Sequence, residues 1–495
     1  MTIRDGTHAP LALVRSLFEA LNAAEVRYCH WKSTTTLGRA LAGRTDLDLL
    51  VDSAHVARFR EVVSAIGFKP FVSHPSRRYP GVEDHLGCDP DSGRLVHLHV
   101  YQQLILGEHY VKNHVLPLEN ALLDDTVIRD GVRIPPPHVE LMILILRGLL
   151  KYRDTDAAKD LLRLGRRGGL PPDLRAEVRD LAGRTSVEDV VAVAHRELPS
   201  VASDVFSGFL EVVARNPRDA VSLLRLRRAA RHGLRPFQRV PARQALTRYV
   251  RARLVHTWPI KTIARRLSRH EMRRKSSARG GLTIAVVGAD GAGKSTVVGA
   301  LQEWLGWRLN LRVLYLGTAR PSPLTAVMQG ISRAARRVVP GWGGAKLIAA
   351  LRYLAEARDR SRRSRIGRQL AVEGVVVVFD RYPLDYVRMG ERAMDGPRIG
   401  TIPGATTSRL LGRLARIERD AYARMPRPDL VVLLDVPASV AMARKPSRRP
   451  ESILEKATAI SAAVAGAHAD VVTVDATRPL PEVLAGVREA VWSRL

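Results

Sequence analysis

The stretch that most constrains this chain runs from Gly281 to Ala300, GLTIAVVGADGAGKSTVVGA. An apolar run, Leu282 to Val287, leads straight into Gly288-Ala289-Asp290-Gly291-Ala292-Gly293-Lys294-Ser295, a match to G-x-x-x-x-G-K-[ST]. Glycines let the backbone turn so that successive N–H groups point inward at one anion. A helix starting near Lys294, with Val297, Val298, Leu301 and Leu305 on one face, adds its positive end to the same place. The spacing predicts a buried strand, a phosphate-binding loop and a helix. Gly288, Asp290, Gly291, Ala292, Gly293 and Thr296 would wrap a nucleotide's phosphates. Lys294 would reach the β- and γ-phosphates, and the Ser295 hydroxyl would hold Mg²⁺.

Downstream, apolar runs recur at Val313–Leu316, Val375–Phe379, Leu430–Leu434 and Val471–Val474, with helical stretches between them. Crossovers of that length make a parallel sheet whose ligand lies at the carboxyl ends of the strands. The third run ends in Asp380-Arg381-Tyr382. An acid there is placed to hold Mg²⁺ through water or to take the acceptor's proton, and the adjacent guanidinium suits a bidentate grip on phosphate.

The loop, the Asp380-Arg381-Tyr382 motif and Pro428–Pro437 together resemble the thymidylate kinase family of P-loop nucleoside monophosphate kinases over about Leu282 to Leu495. The resemblance implies ATP, Mg²⁺ and phosphoryl transfer to a small acceptor. By it, Lys294 and Ser295 serve ATP and the metal, Asp380 is the acid near the acceptor and also a Mg²⁺ ligand, and Arg381 grips phosphate. Arg360 stands where the family sets an arginine against the base, and Arg320 matches its acceptor-phosphate arginine. Arg444, Arg448 and Arg449 are candidates for a lid over the phosphates, the last two with a catalytic role. Two positions depart from the family. Glu356 replaces the aromatic that stacks on thymine, and Pro383–Pro403 replaces a polar S-x-A-x-Q segment. Glu356, Arg320, Arg360 and Arg381 are thus the candidate acceptor residues. Glu356 and Asp395 would suit a hydroxyl-rich or cationic acceptor as well as they would suit a plain surface.

Toward the other end, Pro10–Ala24 reads as a helix, and Thr45-Asp46-Leu47-Asp48-Leu49-Leu50-Val51 as a strand that sends both aspartates to one side. Paired carboxylates of this kind are what a two-metal phosphoryl-transfer site uses. About the first hundred residues resemble the nucleotidyltransferase fold, in which a D-x-D strand binds Mg²⁺. The family's third carboxylate has no match on Arg94–Val100, which offers His97 and His99, either as metal ligands or as hydrogen-bonded residues. After Pro135-Pro136-Pro137, helical patterns cover His138–Tyr152, Thr155–Arg166, Pro172–Ala182 and Val187–Arg196. Lys151-Tyr152-Arg153-Asp154 would either contact phosphate or cap a helix with charge.

The fold expected is therefore α/β. A C-terminal P-loop NTPase three-layer sandwich with a parallel sheet (281–495) is preceded by an α+β nucleotidyltransferase-like domain (1–134), a helical region (135–215) and a basic bridge (216–280). The net charge of +30 implies acidic partners. The bridge, with Arg225, Arg227, Arg228, Arg231, Arg235, Arg239 and a second run at Arg265–Lys275, would lie on an anionic membrane or serve as a solvated linker. Aromatic content of 5% with no basic-aromatic interleaving argues against nucleic acid. Two cysteines, Cys29 and Cys88, exclude a disulfide framework, and no apolar run reaches membrane-spanning length, so a cytoplasmic protein is expected. The partners are a nucleotide and a small acceptor. Three functions follow: a kinase for a nucleoside monophosphate, dTMP first; a kinase for a sugar or cell-envelope precursor that the first domain binds or modifies; or an ATP-driven switch on a membrane or nucleic acid.

Overall fold

Two separate units, Met1–Glu271 and Met272–Leu495, organise the apolar residues of this chain. The structure, a computed structural model, describes residues 9–108, 111–161, 169–256, 274–338, 343–445, 450–464 and 469–495.

In the first unit, helix α1 (Ala12–Ala23) buries Leu13, Val14, Leu17, Phe18 and Leu21, the helical stripe that its spacing predicts. Strands β1 (Tyr28–His30) and β2 (Leu47–Val51), helix α2 (Val56–Ala65), and strands β3 (Lys69–Val72), β4 (Val82–Cys88) and β5 (Leu95–Tyr101) follow. Side by side the strands run β1-β2-β5-β4-β3. Only β2 and β5 pair in parallel, with Asp48 opposite His99, while antiparallel β4 sets Asp84 opposite the same histidine. Leu47, Leu49 and Val51 face a core with α1 and α2, and Leu50 and Tyr101 face the other way.

That second face is covered by helices α3 (Pro137–Lys151), α4 (Pro172–Ala182), α5 (Val187–Glu197), α6 (Asp204–Arg215) and α7 (Ala220–Gly233). One continuous core runs from Cys29, Trp31, Leu50 and Tyr101 through to Leu234. The boundaries expected at 134/135 and 215/216 therefore do not divide cores. The expected bridge also changes character. Asp219 caps α7 by accepting from the Ser222 N–H at 3.1 Å, and α7 buries Leu223, Leu226 and Ala230. Arg227, expected in a membrane-surface segment or a solvated linker, is 3% exposed and donates to Asp154 at 2.6 Å and Glu108 at 3.0 Å. A leucine stripe beside arginines is satisfied by a buried helix as well as by a membrane-surface one, and here the burial is within the unit. Much of the second arginine run lies in 257–273, outside the described residues. No helix among the described residues is long and apolar enough to cross a membrane.

The second unit is built from β6 (Thr283–Gly288), α8 (Lys294–Gly306), β7 (Leu311–Tyr315), α9 (Pro323–Val338), α10 (Gly343–Val372), β8 (Val376–Asp380), α11 (Arg409–Ala423), β9 (Leu430–Asp435), α12 (Pro450–Val464), β10 (Val471–Asp475) and α13 (Leu480–Arg494). Its five strands pair in parallel in the order β7-β8-β6-β9-β10. All five expected strands and their parallel pairing are present. Every residue of β6 is buried, because it is central and covered on both faces. From β6 the chain goes first to one side and later to the other, so the loop after β6 lies at the switch point of the sheet.

One tie in the first unit gives a test of this packing. Glu140 on α3 is 4% exposed and accepts from the Thr34 N–H at 3.0 Å and hydroxyl at 2.6 Å. Burial pushes its carboxyl up to about 7, against those two bonds. The protonated form is thus favoured in the fold, and the stability it contributes is complete below about pH 4.5 and lost as pH rises through 7. Glu140→Gln, which keeps the shape without the charge, should match the parent near pH 5 and exceed it by about 1–3 kcal/mol at pH 8 in denaturant melts. A difference that does not change with pH would contradict this.

Candidate functional site

The loop after β6 turns through Gly291 (φ 94°) and Gly293 (φ 87°), both in the left-handed region that favours glycine. At 291 a side chain is also excluded by space, since a Cβ there would run into the Ala441 carbonyl. Gly293 caps α8 with no side chain over the helix end, where the N–H groups of the first turn can meet an anion, although that of Thr296 donates to the Gly293 carbonyl at 3.0 Å. The expected strand–loop–helix is therefore in place, with Gly288, Asp290, Gly291, Ala292, Gly293, Lys294, Ser295 and Thr296 on one turn of chain.

Lys294 is 7% exposed and donates from Nζ to the Gly288 carbonyl at 2.9 Å and the Ala289 carbonyl at 2.6 Å. Burial, then the nearby Arg381, pushes its ammonium down to about 8. Asp290 gathers the surrounding cations: Arg381 Nη2 lies 2.8 Å from one carboxylate oxygen, Lys456 Nζ 2.6 Å from the other, and Lys294 Nζ 4.0 Å away. Burial alone would raise the Asp290 carboxyl, but Lys456, Arg381 and Lys294 outweigh it and hold it below the ordinary carboxylate range. Lys456, on α12, was not foreseen. Its only sequence signal is a lone base within the mainly apolar stretch Ile453–Val464.

Asp380 ends β8 opposite Val286 of β6 and Tyr315 of β7, beside the loop. Burial raises its carboxyl, partly offset by Arg381, Lys294 and Arg320, which places all three cations within electrostatic range. Arg381 sits at φ 66°, a strained conformation for arginine, and this turns its side chain to Asp290. Among the described residues no group of three His, Cys, Asp or Glu is disposed to hold a metal.

On the acceptor side, Arg360 of α10 is 3% exposed. It donates to the Leu316 carbonyl at 2.8 Å, the Tyr422 hydroxyl at 2.6 Å and the Asp395 carbonyl, while its Nη2 has no hydrogen-bond partner among the described residues. Glu356, one turn earlier, is buried, accepts from Gln329 at 3.3 Å and lies 3.8 Å from Arg352. Arg320 is exposed and packs 5.8 Å from the Tyr315 ring. The segment after Tyr382 is tied down by Arg360 at Asp395 and by Glu418, which accepts from the Arg398 and Ile399 N–H groups. Between this segment and α11 is a cavity of about 1010 Å³, running from Tyr382 past Met389 and Tyr422 toward Pro428 and Asp470. Arg444 donates to the Ala476 carbonyl at 2.8 Å, and Arg448 and Arg449 lie outside the described residues.

In the first unit Asp46 and Asp48 do share a side, but both are already engaged. His97 lies 3.0 Å from Asp46 and 2.9 Å from Asp84, and Asp48 lies 3.2 Å from His99 and 2.6 Å from Lys32. Burial raises Asp48, and Lys32 and His99 outweigh it, holding the carboxyl ionised. A further carboxylate, Asp84, stands on the neighbouring strand β4 opposite His99, where only the pairing of β4 with β5 could reveal it.

The crowding around Asp290 carries a prediction. Asp290→Asn removes the carboxylate that Lys294, Arg381 and Lys456 share and should cost about 1–2 kcal/mol of stability. Pyrophosphate should restore the melting midpoint of that variant by more than it raises the parent's. An unchanged midpoint, or no recovery with pyrophosphate, would contradict the cation cluster.

No protein-family model matches the chain. It is 29% identical over 222 residues to "Uncharacterized ATP-binding protein YghR" of Escherichia coli (strain K12), covering 42% of this chain and 86% of that protein. It is 25% identical over 224 residues to "Uncharacterized ATP-binding protein YghS" of the same strain, covering 43% and 93%. To "Thymidylate kinase" of Desulforudis audaxviator (strain MP104C) it is 32% identical over 174 residues, covering 34% of this chain and 68% of that enzyme. By that likeness, the chain belongs to the thymidylate kinase family of P-loop proteins.

Proposed function

We propose that the second unit is an ATP-dependent phosphotransferase that moves the γ-phosphoryl group to a small acceptor, with dTMP the first candidate. The observation that carries this is the glycine-turned loop at the switch point of a parallel sheet, with a buried lysine and with Asp380-Arg381 on the adjacent strand. The relatives' names, two ATP-binding proteins and a thymidylate kinase, support the same reading.

In this reading the open N–H groups of the loop and the Lys294 ammonium take the β- and γ-phosphates, so Lys294 leaves the carbonyls of Gly288 and Ala289 for them. Arg381 and Lys456 add positive charge where negative charge develops, on the bridging oxygen that takes the electron pair as its bond to the γ-phosphorus breaks. The acceptor oxygen forms the new bond and ADP leaves. A hydroxyl acceptor would give its proton to Asp380, whereas a phosphate acceptor needs only orientation by Arg320, Arg381 and the free Nη2 of Arg360. A hydroxyl and one carboxylate, Ser295 and Asp380, fit a Mg²⁺ ion that also takes phosphate oxygens, since that ion usually binds through one or two carboxylates and the substrate. When bound it would neutralise phosphate charge.

A second reading, transfer to a sugar or envelope precursor, is favoured by buried Glu356 in place of a stacking aromatic and by the long cavity that begins at Tyr382. That cavity is at the upper end of the range for drug-sized ligands. The ATP-driven switch has no separate observation in its favour.

ADP release should rise above the basal rate with one member of a panel of nucleoside monophosphates and sugars, and Lys294→Met should abolish it. If no acceptor stimulates release, the transferase reading fails. Asp380→Asn should lower kcat by about 10²–10⁴-fold with ATP affinity retained if the carboxylate works on the acceptor. A loss confined to ATP affinity would instead make Asp380 a metal ligand only.

A further inference from the structure

The first unit holds a cluster of charge that the phosphate loop does not use. It lies on the face of the sheet toward the helices, over the row formed by Asp48, His99 and Asp84. Lys32 Nζ is 2.6 Å from Asp48, and His99 Nδ1 is 3.2 Å from the other oxygen of the same carboxylate. The Tyr101 hydroxyl is 3.1 Å from that nitrogen, and Lys112 donates to the hydroxyl at 3.2 Å while lying 4.5 Å from the centre of the Tyr79 ring. Helix α3 brings two more cations. Lys151, at its end, lies within electrostatic range of Lys32, Asp48 and Arg147, and Lys112 is within range of both Lys32 and Lys151. The Arg147 guanidinium sits 5.6 Å over Trp31, the residue before Lys32.

Four cations therefore gather around Asp48 on this face, Lys151 within electrostatic range of Lys32 and Arg147, and Lys112 within range of Lys32. Facing them are Asp48 and, on α4, Glu177, which accepts from the Ser33 hydroxyl at 3.4 Å. Asp84 is taken up by His97 and Ser73, and Glu140 by Thr34. Positive charge is left in surplus, in a place where burial makes every unopposed cation unfavourable. The backbone gives a second, independent indication. Among the described residues seven non-glycine residues have positive φ, and two of them, Ser33 (58°) and Lys112 (40°), carry side chains of this cluster. A third, Arg381, belongs to the cation cluster of the phosphate loop. Strained backbone held in place at charged side chains is a mark of functional sites. A divalent cation is poorly served here, because an ammonium and an imidazole already occupy Asp48.

We propose that this cluster is a metal-independent anion site that takes the phosphate group of a small phosphorylated molecule on Lys32, Lys112, Lys151 and Arg147, with the Ser33 hydroxyl, which Glu177 orients, as a donor at its edge. The site belongs to the first unit alone and does not depend on the transferase reading of the second.

Calorimetric titration of the full chain in EDTA at low salt, with inorganic phosphate, nucleoside monophosphates and hexose phosphates as separate arms, tests it. One arm should bind at a single site, and which one does so identifies the source of the phosphate. Affinity should fall at least tenfold in Lys32→Gln and Lys112→Gln. It should fall severalfold in Lys151→Gln, whose side chain is at the exposed rim and whose loss spares the fold. Binding should persist in Lys294→Met, which removes the other phosphate site. The proposal is overturned if no arm binds in EDTA. It is equally overturned if binding requires Mg²⁺ and vanishes in Asp48→Asn, or if Lys294→Met abolishes it while the three lysine variants leave it unchanged.

Discussion

Three cations held around the single carboxylate of Asp290 are the interaction on which the second unit's chemistry depends. Lys294, Arg381 and Lys456 come from the start of α8, from just past the end of β8 and from α12, and without a negative partner they would repel one another where they are partly buried. Asp290 makes the cluster affordable in the free protein. An incoming polyphosphate offers the same cations more charge than one carboxylate does, so the arrangement is poised to release them. The sheet sets the stage: at its switch point the ends of β6 and β8 lie side by side, Val286 opposite Asp380.

The same physical device recurs in the first unit with different parts. There a buried, ionised Asp48 holds Lys32 and His99, and Lys112 and Lys151 stand within electrostatic range of the same carboxylate. In both units, left-handed backbone at a non-glycine residue aims a charged or polar side chain: Arg381 in one, Ser33 and Lys112 in the other. Two cation clusters in one chain give a local account of part of its +30 charge, which need not all be attributed to a membrane or a nucleic acid.

What the sequence made legible follows from the range of the interactions. The loop and its flanking strand and helix are fixed by contiguous residues, and the five strands of the second sheet announce themselves as apolar runs separated by helix-length stretches. Residues brought in by pairing or packing were silent. Asp84 comes to His97 only because β4 lies against β5, and Lys456 reaches Asp290 from a helix far along the chain. Arg227 was misread for a related reason. An arginine in a leucine-rich helix looks solvated until Asp154 and Glu108, distant in sequence, are seen to hold it. The altered acceptor pocket was legible as a departure, in Glu356 and the segment after Tyr382, but its cavity depends on how that segment folds back under Arg360 and Glu418.

The central claim is that the backbone between residues 289 and 296 closes on a nucleoside triphosphate. Amide hydrogen exchange read peptide by peptide, with and without ATP and Mg²⁺, measures those N–H groups themselves. The account predicts marked slowing across 289–296 on adding nucleotide, with far less change in β10 and α13. Exchange in that segment that is indifferent to saturating ATP would contradict it.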